Sequence, residues 1–186
     1  MRNRFGLGVF GVVAVFATLV AGQASHGQAQ NGTETDPCAM TNLPAEIQNK
    51  LTTTYAAWKI LAPALLTTSE GRRYWLKHHP KECPGILTGT FSDDNQVGYV
   101  LELTRRKKGE IWQQVLYFHP SRDGFSVEIL NPSRVVDPNF PVSIDKLPPD
   151  RSVKTDQVYV TLGDEDGSGV TFYWKQGRRH KIFSGD

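Results

Sequence analysis

From Gly85 to Phe183 the apolar residues fall at alternate positions, in short runs separated by turn-forming residues, and that rhythm fixes the fold class. A period of two sets successive side chains on opposite faces of an extended strand. Val97, Tyr99, Leu101 and Leu103 share one face, ahead of a charged hairpin tip at Arg105–Glu110. Ile111–His119 is apolar on both faces: Trp112, Leu116 and Phe118 alternate with Ile111, Val115 and Tyr117. A strand of that kind is central and covered on both sides. Pro120–Gly124 is a turn by composition, after which Phe125, Val127 and Ile129 alternate again. Residues 131–157 are proline-rich and weakly patterned, with Val142–Leu147 as a short edge strand. Val158–Leu162 and Val170–Trp174 flank a turn at Gly163–Gly169, and Gln176-Gly177 turns into a last strand, His180–Phe183.

The period differs before Gly85. Pro44 suits a helix first turn, and Ile47, Leu51 and Tyr55 recur every four residues, so residues 44–55 are expected to form an amphipathic helix. Trp58–Leu61 begins a short strand, and a second helix is expected from Ser69 to about His78, ended by Pro80. The expected fold is α+β: an antiparallel β-meander of about five to seven strands with two N-terminal helices packed on one face.

The first residues carry a different message. Arg2 and Arg4 precede an uncharged run, Phe5–Gly22, rich in Val, Phe, Leu and Ala, and small residues follow in Gly22-Gln23-Ala24 and Gly27-Gln28-Ala29. Basic, apolar, then small is the pattern of a secretory signal peptide, with cleavage expected after Ala24 or Ala29. An uncleaved anchor helix is the alternative, since a span needs about 20 apolar residues; Gly6, Gly8 and Gly11 weigh against it. Residues 1–24 are therefore read as a signal peptide, 25–36 as a flexible polar leader and 37–186 as a single globular domain. Both routes place the domain outside the cytoplasm, periplasmic or extracellular, with no membrane span once the signal is removed. The whole chain has 21 Lys and Arg against 19 Asp and Glu, a net charge of +2. Removing Arg2 and Arg4 leaves it formally neutral, so basicity gives no argument for a nucleic-acid partner.

In an oxidising compartment the pair Cys38 and Cys83 is expected to form a disulfide. It would close a loop of about 45 residues, which chain entropy values at roughly 4 kcal/mol. A metal site from His78, His79 and Cys83 is the weaker alternative, because Pro80 interrupts it and Cys38 is the better partner for Cys83. Gly163–Gly169 is acidic but fails the calcium-loop template, since Lys175 stands where a bidentate Glu is required. Ser121, His119 and Asp123 are too close along one turn to form a triad. No catalytic set, metal site or cofactor is expected.

The loop Gly89-Thr90-Phe91-Ser92-Asp93-Asp94-Asn95 resembles, in degenerate form, the Gly-Asp-Phe-Asp-Gly-Asp-Gly turn of FG-GAP-like repeats. There a strand ends in an acidic, calcium-holding loop. Here Gly89, Phe91, Asp93 and the strand from Val97 match, but Thr90 replaces the first acid and the loop glycines are missing. With Trp75, His78-His79-Pro80 and Cys83-Pro84-Gly85, the chain is similar to secreted bacterial single-domain proteins, a likeness that implies a compartment and no activity. As a hairpin, the same loop needs no ligand at all.

Three functional readings follow. The favoured one is an exported, non-enzymatic binding or interaction domain for an envelope protein or a glycan, with Tyr159, Tyr173, Trp75 or Trp112 as contact aromatics and Arg105, Arg106, Lys107, Lys108, Arg178 and Arg179 as a basic surface if the two clusters converge. The second is a cell-envelope hydrolase drawing a carboxylate pair from Asp93, Asp94, Glu102 and Glu128, which requires a cleft that gathers two of them. The third is an accessory subunit of an envelope complex, which requires an exposed apolar patch on the sheet or on the 69–79 helix.

Overall fold

The protein is seen in a computed structural model that describes residues 36–139, 141–161 and 168–184. Residues 1–35, which hold the expected signal peptide and most of the expected leader, and the acidic stretch 162–167 lie outside the described residues. Among the described residues the architecture is antiparallel throughout: nine strands in two sheets, with two α-helices. The first sheet contains β1 (Lys59–Ile60), β2 (Ile86–Gly89), β3 (Gly98–Lys107), β4 (Glu110–Ser121) and β5 (Gly124–Val136). β4 lies between β3 and β5, while β1 and β2 both pair with the outer edge of β3. The second sheet runs β6 (Ile144–Leu147), β7 (Gln157–Thr161), β8 (Gly169–Lys175) and β9 (Arg178–Ser184), each next to its neighbour in sequence.

The alternation of β3 and β4 sorts their side chains into two cores. Val100, Val115 and Tyr117 face the second sheet and pack with Ile144, Val158, Val160, Val170, Phe172 and Trp174. Leu101, Leu103, Leu116 and Phe118 face the other way, onto Ile47 and Leu51 of α1 (Ala45–Thr53) and the cysteine pair. β4 is thus covered on both faces, the cause of the apolar run Val115–Phe118. Full burial of each large apolar side chain is worth about 1.5–3 kcal/mol. The sulfurs of Cys38 and Cys83 are 2.03 Å apart and join the start of the domain to the segment before β2.

The expected elements differ from the observed ones in three respects. The described residues form nine strands in two sheets, not one meander of five to seven, because the chain after β5 builds a sheet of its own. β5 continues through Pro132 to Val136, where the sequence suggests irregular chain. It is an edge strand, and the register shift against Gln113–Val115 places Pro132 at a bulge, where a missing N–H costs no ladder bond. Arg105, Arg106 and Lys107 are strand residues of β3, and the hairpin tip is only Lys108-Gly109, both at positive φ.

The two helices are held differently. α1 inserts Ile47 and Leu51 into the core, and Glu46 accepts a hydrogen bond from the Phe125 backbone N–H at 2.9 Å. That carboxylate fills the space beside Gly124, whose φ of +112° also favours glycine. α2 (Ser69–His78) has no buried residue. Thr68 caps its N-terminus, accepting from the Gly71 N–H. Its Arg72 donates to the carbonyls of Pro63, Ala64 and Leu66, and the Trp75 indole donates to the Glu82 carbonyl at 3.1 Å. Tyr74 and Leu76 remain more than half exposed, the apolar surface that an accessory-subunit reading calls for.

Candidate functional site

At one end of the sandwich, both sheets contribute to a cleft of about 780 Å³. Its walls come from the β2–β3 loop (Ser92, Asp93, Asp94), from β4 (Tyr117, His119), from β5 (Val127, Glu128) and from the β8–β9 hairpin (Trp174, Gly177, Arg179). Each side chain has a local reason for its place. Asp94 accepts hydrogen bonds from the Ser92 hydroxyl and the Gln96 N–H, the short-range closure that Asp favours in turns. The Ser92 hydrogen bond is the main cause holding its carboxyl below the ordinary aspartate value. Asp93 accepts from the backbone N–H of Gln176, so the loop of one sheet clasps the turn of the other. That turn, Gln176-Gly177, has positive φ at both residues, the twist a two-residue hairpin requires.

Glu128 is held on both oxygens. Trp174 Nε1 donates at 3.3 Å and the Arg179 guanidinium lies at 3.1 Å. Arg179 also donates to the Ile129 carbonyl at 2.9 Å and lies over the Phe172 ring. The two charged side chains of this pair are 35% and 30% exposed, so water screens their attraction. His119 Nδ1 lies 3.2 Å from the Pro120 carbonyl; a carbonyl only accepts, so this nitrogen carries a proton.

Tyr117 is fully buried and lies against the cleft. Its ring meets Phe91 edge-on at 5.7 Å, Trp174 at 4.4 Å and His119 at 5.5 Å, and Gly98 leaves it room. Its hydroxyl meets no partner in good hydrogen-bond geometry, although the Ser92 hydroxyl is close enough to act on it. The nearby polar groups, Ser92, Asp94 and Glu128, all belong to the cleft, and Ser92 gives its own hydroxyl proton to Asp94. Burial pushes the phenol up to about 12, so it stays protonated across the physiological range and serves as a hydrogen-bonding group and never as a base.

Of the four acids named from sequence, Asp93, Asp94 and Glu128 line this cleft together; Glu102 does not. Glu102 is sealed inside β3, where Gln113 Nε2 donates to Oε1 at 2.9 Å and Oε2 has no partner. Burial, with the Asp145 carboxylate adding to it, drives its carboxyl well above the ordinary range. The basic clusters do not converge. Arg179 reaches Glu128 and Ile129, opposite Tyr117 and Leu116 of β4, whereas Arg105–Lys107 pair with Trp112–Glu110 at the other end of that strand. Arg105 lies between the rings of Trp58 and Trp112, at 4.4 and 5.3 Å. Lys107, Lys108 and Arg178 are exposed, as is Arg106.

Tyr159, Tyr173, Trp75 and Trp112 line no part of the cleft; its aromatics are Tyr117 and Trp174. The sequence marks those two only as strand residues. His79 pairs with Glu82 at 3.2 Å and Cys83 is bonded to Cys38, and among the described residues no group of three His, Cys, Asp or Glu side chains is arranged to hold a metal ion. The FG-GAP-like segment is a hairpin loop, with Gly89 opposite Gly98. No protein family, curated protein or solved structure matches this chain.

Proposed function

We propose that this chain is an exported, non-enzymatic binding domain whose ligand enters the cleft at the β2–β3 loop. The observation that carries the reading is the cleft itself. Its volume falls in the range of about 300–1,000 Å³ typical of ligand sites, and its lining combines two aromatic rings with a few convergent polar groups. The Cys38–Cys83 pair at bonding distance is compatible with an oxidising location, and the N-terminal pattern supports export.

Native mass spectrometry of the protein purified from its own compartment tests both parts. The intact chain is expected to begin at Ser25 or Gln30 and to carry a small molecule that Trp174→Ala no longer retains. A chain that begins at Met1 refutes export by cleavage. A protein that carries nothing, and that no compound in a metabolite screen stabilises, refutes the cleft as a binding site.

The hydrolase reading draws support from the gathering of Asp93, Asp94 and Glu128. It lacks the group a glycosidase needs, a carboxylic acid kept protonated near neutral pH. Asp94 is held low, and Glu102, which is raised, does not line the cleft.

A further inference from the structure

We propose that the cleft recognises an organic cation, a primary ammonium or guanidinium group carried on a small molecule. This rests on the cleft being a binding site and names the chemistry of its ligand.

Charge is the first argument. Three carboxylates and one arginine line the cleft, and the arginine is spent on Glu128. Asp93 and Asp94 take part in no ion pair among the described residues. Their hydrogen-bond partners are neutral N–H and O–H groups, and the one basic side chain that acts on Asp94 is His119, an imidazole at the same cleft. An anionic ligand would meet like charge there. A cation gains from both carboxylates at the exposed rim of the cleft, an attraction that salt weakens.

Tyr117 is the second and independent argument. A fully buried hydroxyl without a partner costs about 1–3 kcal/mol, and native proteins seldom leave one unused. The phenol oxygen accepts as well as donates, so it can complete the hydrogen bonding of an ammonium or guanidinium N–H beside Asp94. A bare metal ion fits less well, because no set of three metal-ligating side chains converges among the described residues.

Isothermal titration calorimetry on the purified protein decides the matter, with putrescine and arginine as probes, 1,4-butanediol as the uncharged counterpart of putrescine, and glucose as a neutral polyol. At least one amine is expected to bind, and butanediol at least tenfold more weakly than putrescine. Asp93→Asn keeps an oxygen for the Gln176 N–H but removes the charge, and is expected to weaken the amine at least tenfold. Tyr117→Phe is expected to weaken it about fivefold while the variant melts no lower than the parent protein. Amines that bind both variants as well as the parent, or that do not bind at all, overturn the inference. Glucose binding that Tyr117→Phe weakens, with no response to amines, overturns the cation while leaving the cleft as a binding site.

Discussion

Two buried oxygens face the same layer between the sheets and have opposite surroundings. Tyr117 and Glu102 both project from the side of the first sheet that packs on the second; Glu102 stands opposite Val115, and Tyr117 is two residues along from Val115. Each has an oxygen with no hydrogen-bond partner. The Tyr117 hydroxyl sits at the edge of a cleft, whereas the Glu102 carboxyl is enclosed and met by Gln113 alone. The sealed group lowers its cost by keeping its proton; the open one by having a site where another molecule can come. Burial raises both groups, but only Tyr117 lies against the cleft.

Breaking the sealed site gives the largest expected effect. Gln113 bridges Glu102 to the Val142 backbone N–H, donating to one and accepting from the other at 2.9 Å. Gln113→Leu would leave a carboxyl and a backbone N–H buried with no partner. Unmade bonds of this kind cost about 1–3 kcal/mol each, so we expect a loss of ~3 kcal/mol in urea unfolding. A loss below ~1 kcal/mol would mean that water reaches the layer, and the contrast with the cleft would disappear.

Next comes the titration of Glu102. Its folded carboxyl holds a proton well above the ordinary value of 4.5. Between that value and the raised one the folded state binds more protons than the unfolded chain, so stability falls as pH rises. One such group contributes a slope of ~1.4 kcal/mol per pH unit in that window. Glu102→Gln keeps an acceptor for Gln113 and cannot ionise. We expect it to remove that slope and to melt higher than the parent at neutral pH. Parallel pH profiles for the two proteins would show that the carboxyl is not sealed.

How much of this contrast is legible in the sequence depends on the range of the interactions. The two-faced burial of β4 is visible because one strand carries its own evidence, apolar residues on both faces in Ile111, Trp112 and the run Val115–Phe118. The Asp94 turn is local and equally legible. The far half of β5 is hidden by Pro132, because only the sheet order shows that it lies on an edge. The cleft is hidden for a stronger reason. Asp93 and Gln176 are 83 positions apart, and Glu128 and Trp174 are 46 apart. Nothing in an alternating pattern says which strand of a second sheet lies over which strand of the first. The acids could be nominated from sequence, but the aromatics beside them could not.

Tyr117→Phe sharpens the open half of the comparison. Replacing an orphaned hydroxyl by hydrogen removes a buried polar atom and leaves the ring contacts with Phe91 and Trp174 in place. We expect a gain of ~1 kcal/mol in stability, because the desolvation cost of the hydroxyl is no longer carried. Stability gained as affinity is lost would mark a group kept for binding. A destabilised variant would show that the hydroxyl has a structural partner and is no different in kind from Glu102.

The smallest effect belongs to the rim. Arg179 and Glu128 form an ion pair whose members are about a third exposed, and pairs in such settings contribute ~0–1 kcal/mol. Arg179→Ala also removes a hydrogen bond to the Ile129 carbonyl, but β5 is an edge strand and water can take over that acceptor. We expect a loss of no more than ~1 kcal/mol in urea unfolding, shrinking further at high salt as the charges are screened. The ligand should respond in the opposite sense. Without Arg179, Glu128 is no longer neutralised, so an amine should bind more tightly and its affinity should become more sensitive to salt. Weaker amine binding to Arg179→Ala would mean that the arginine serves the ligand directly, and that the cleft is built for a group able to accept its hydrogen bonds.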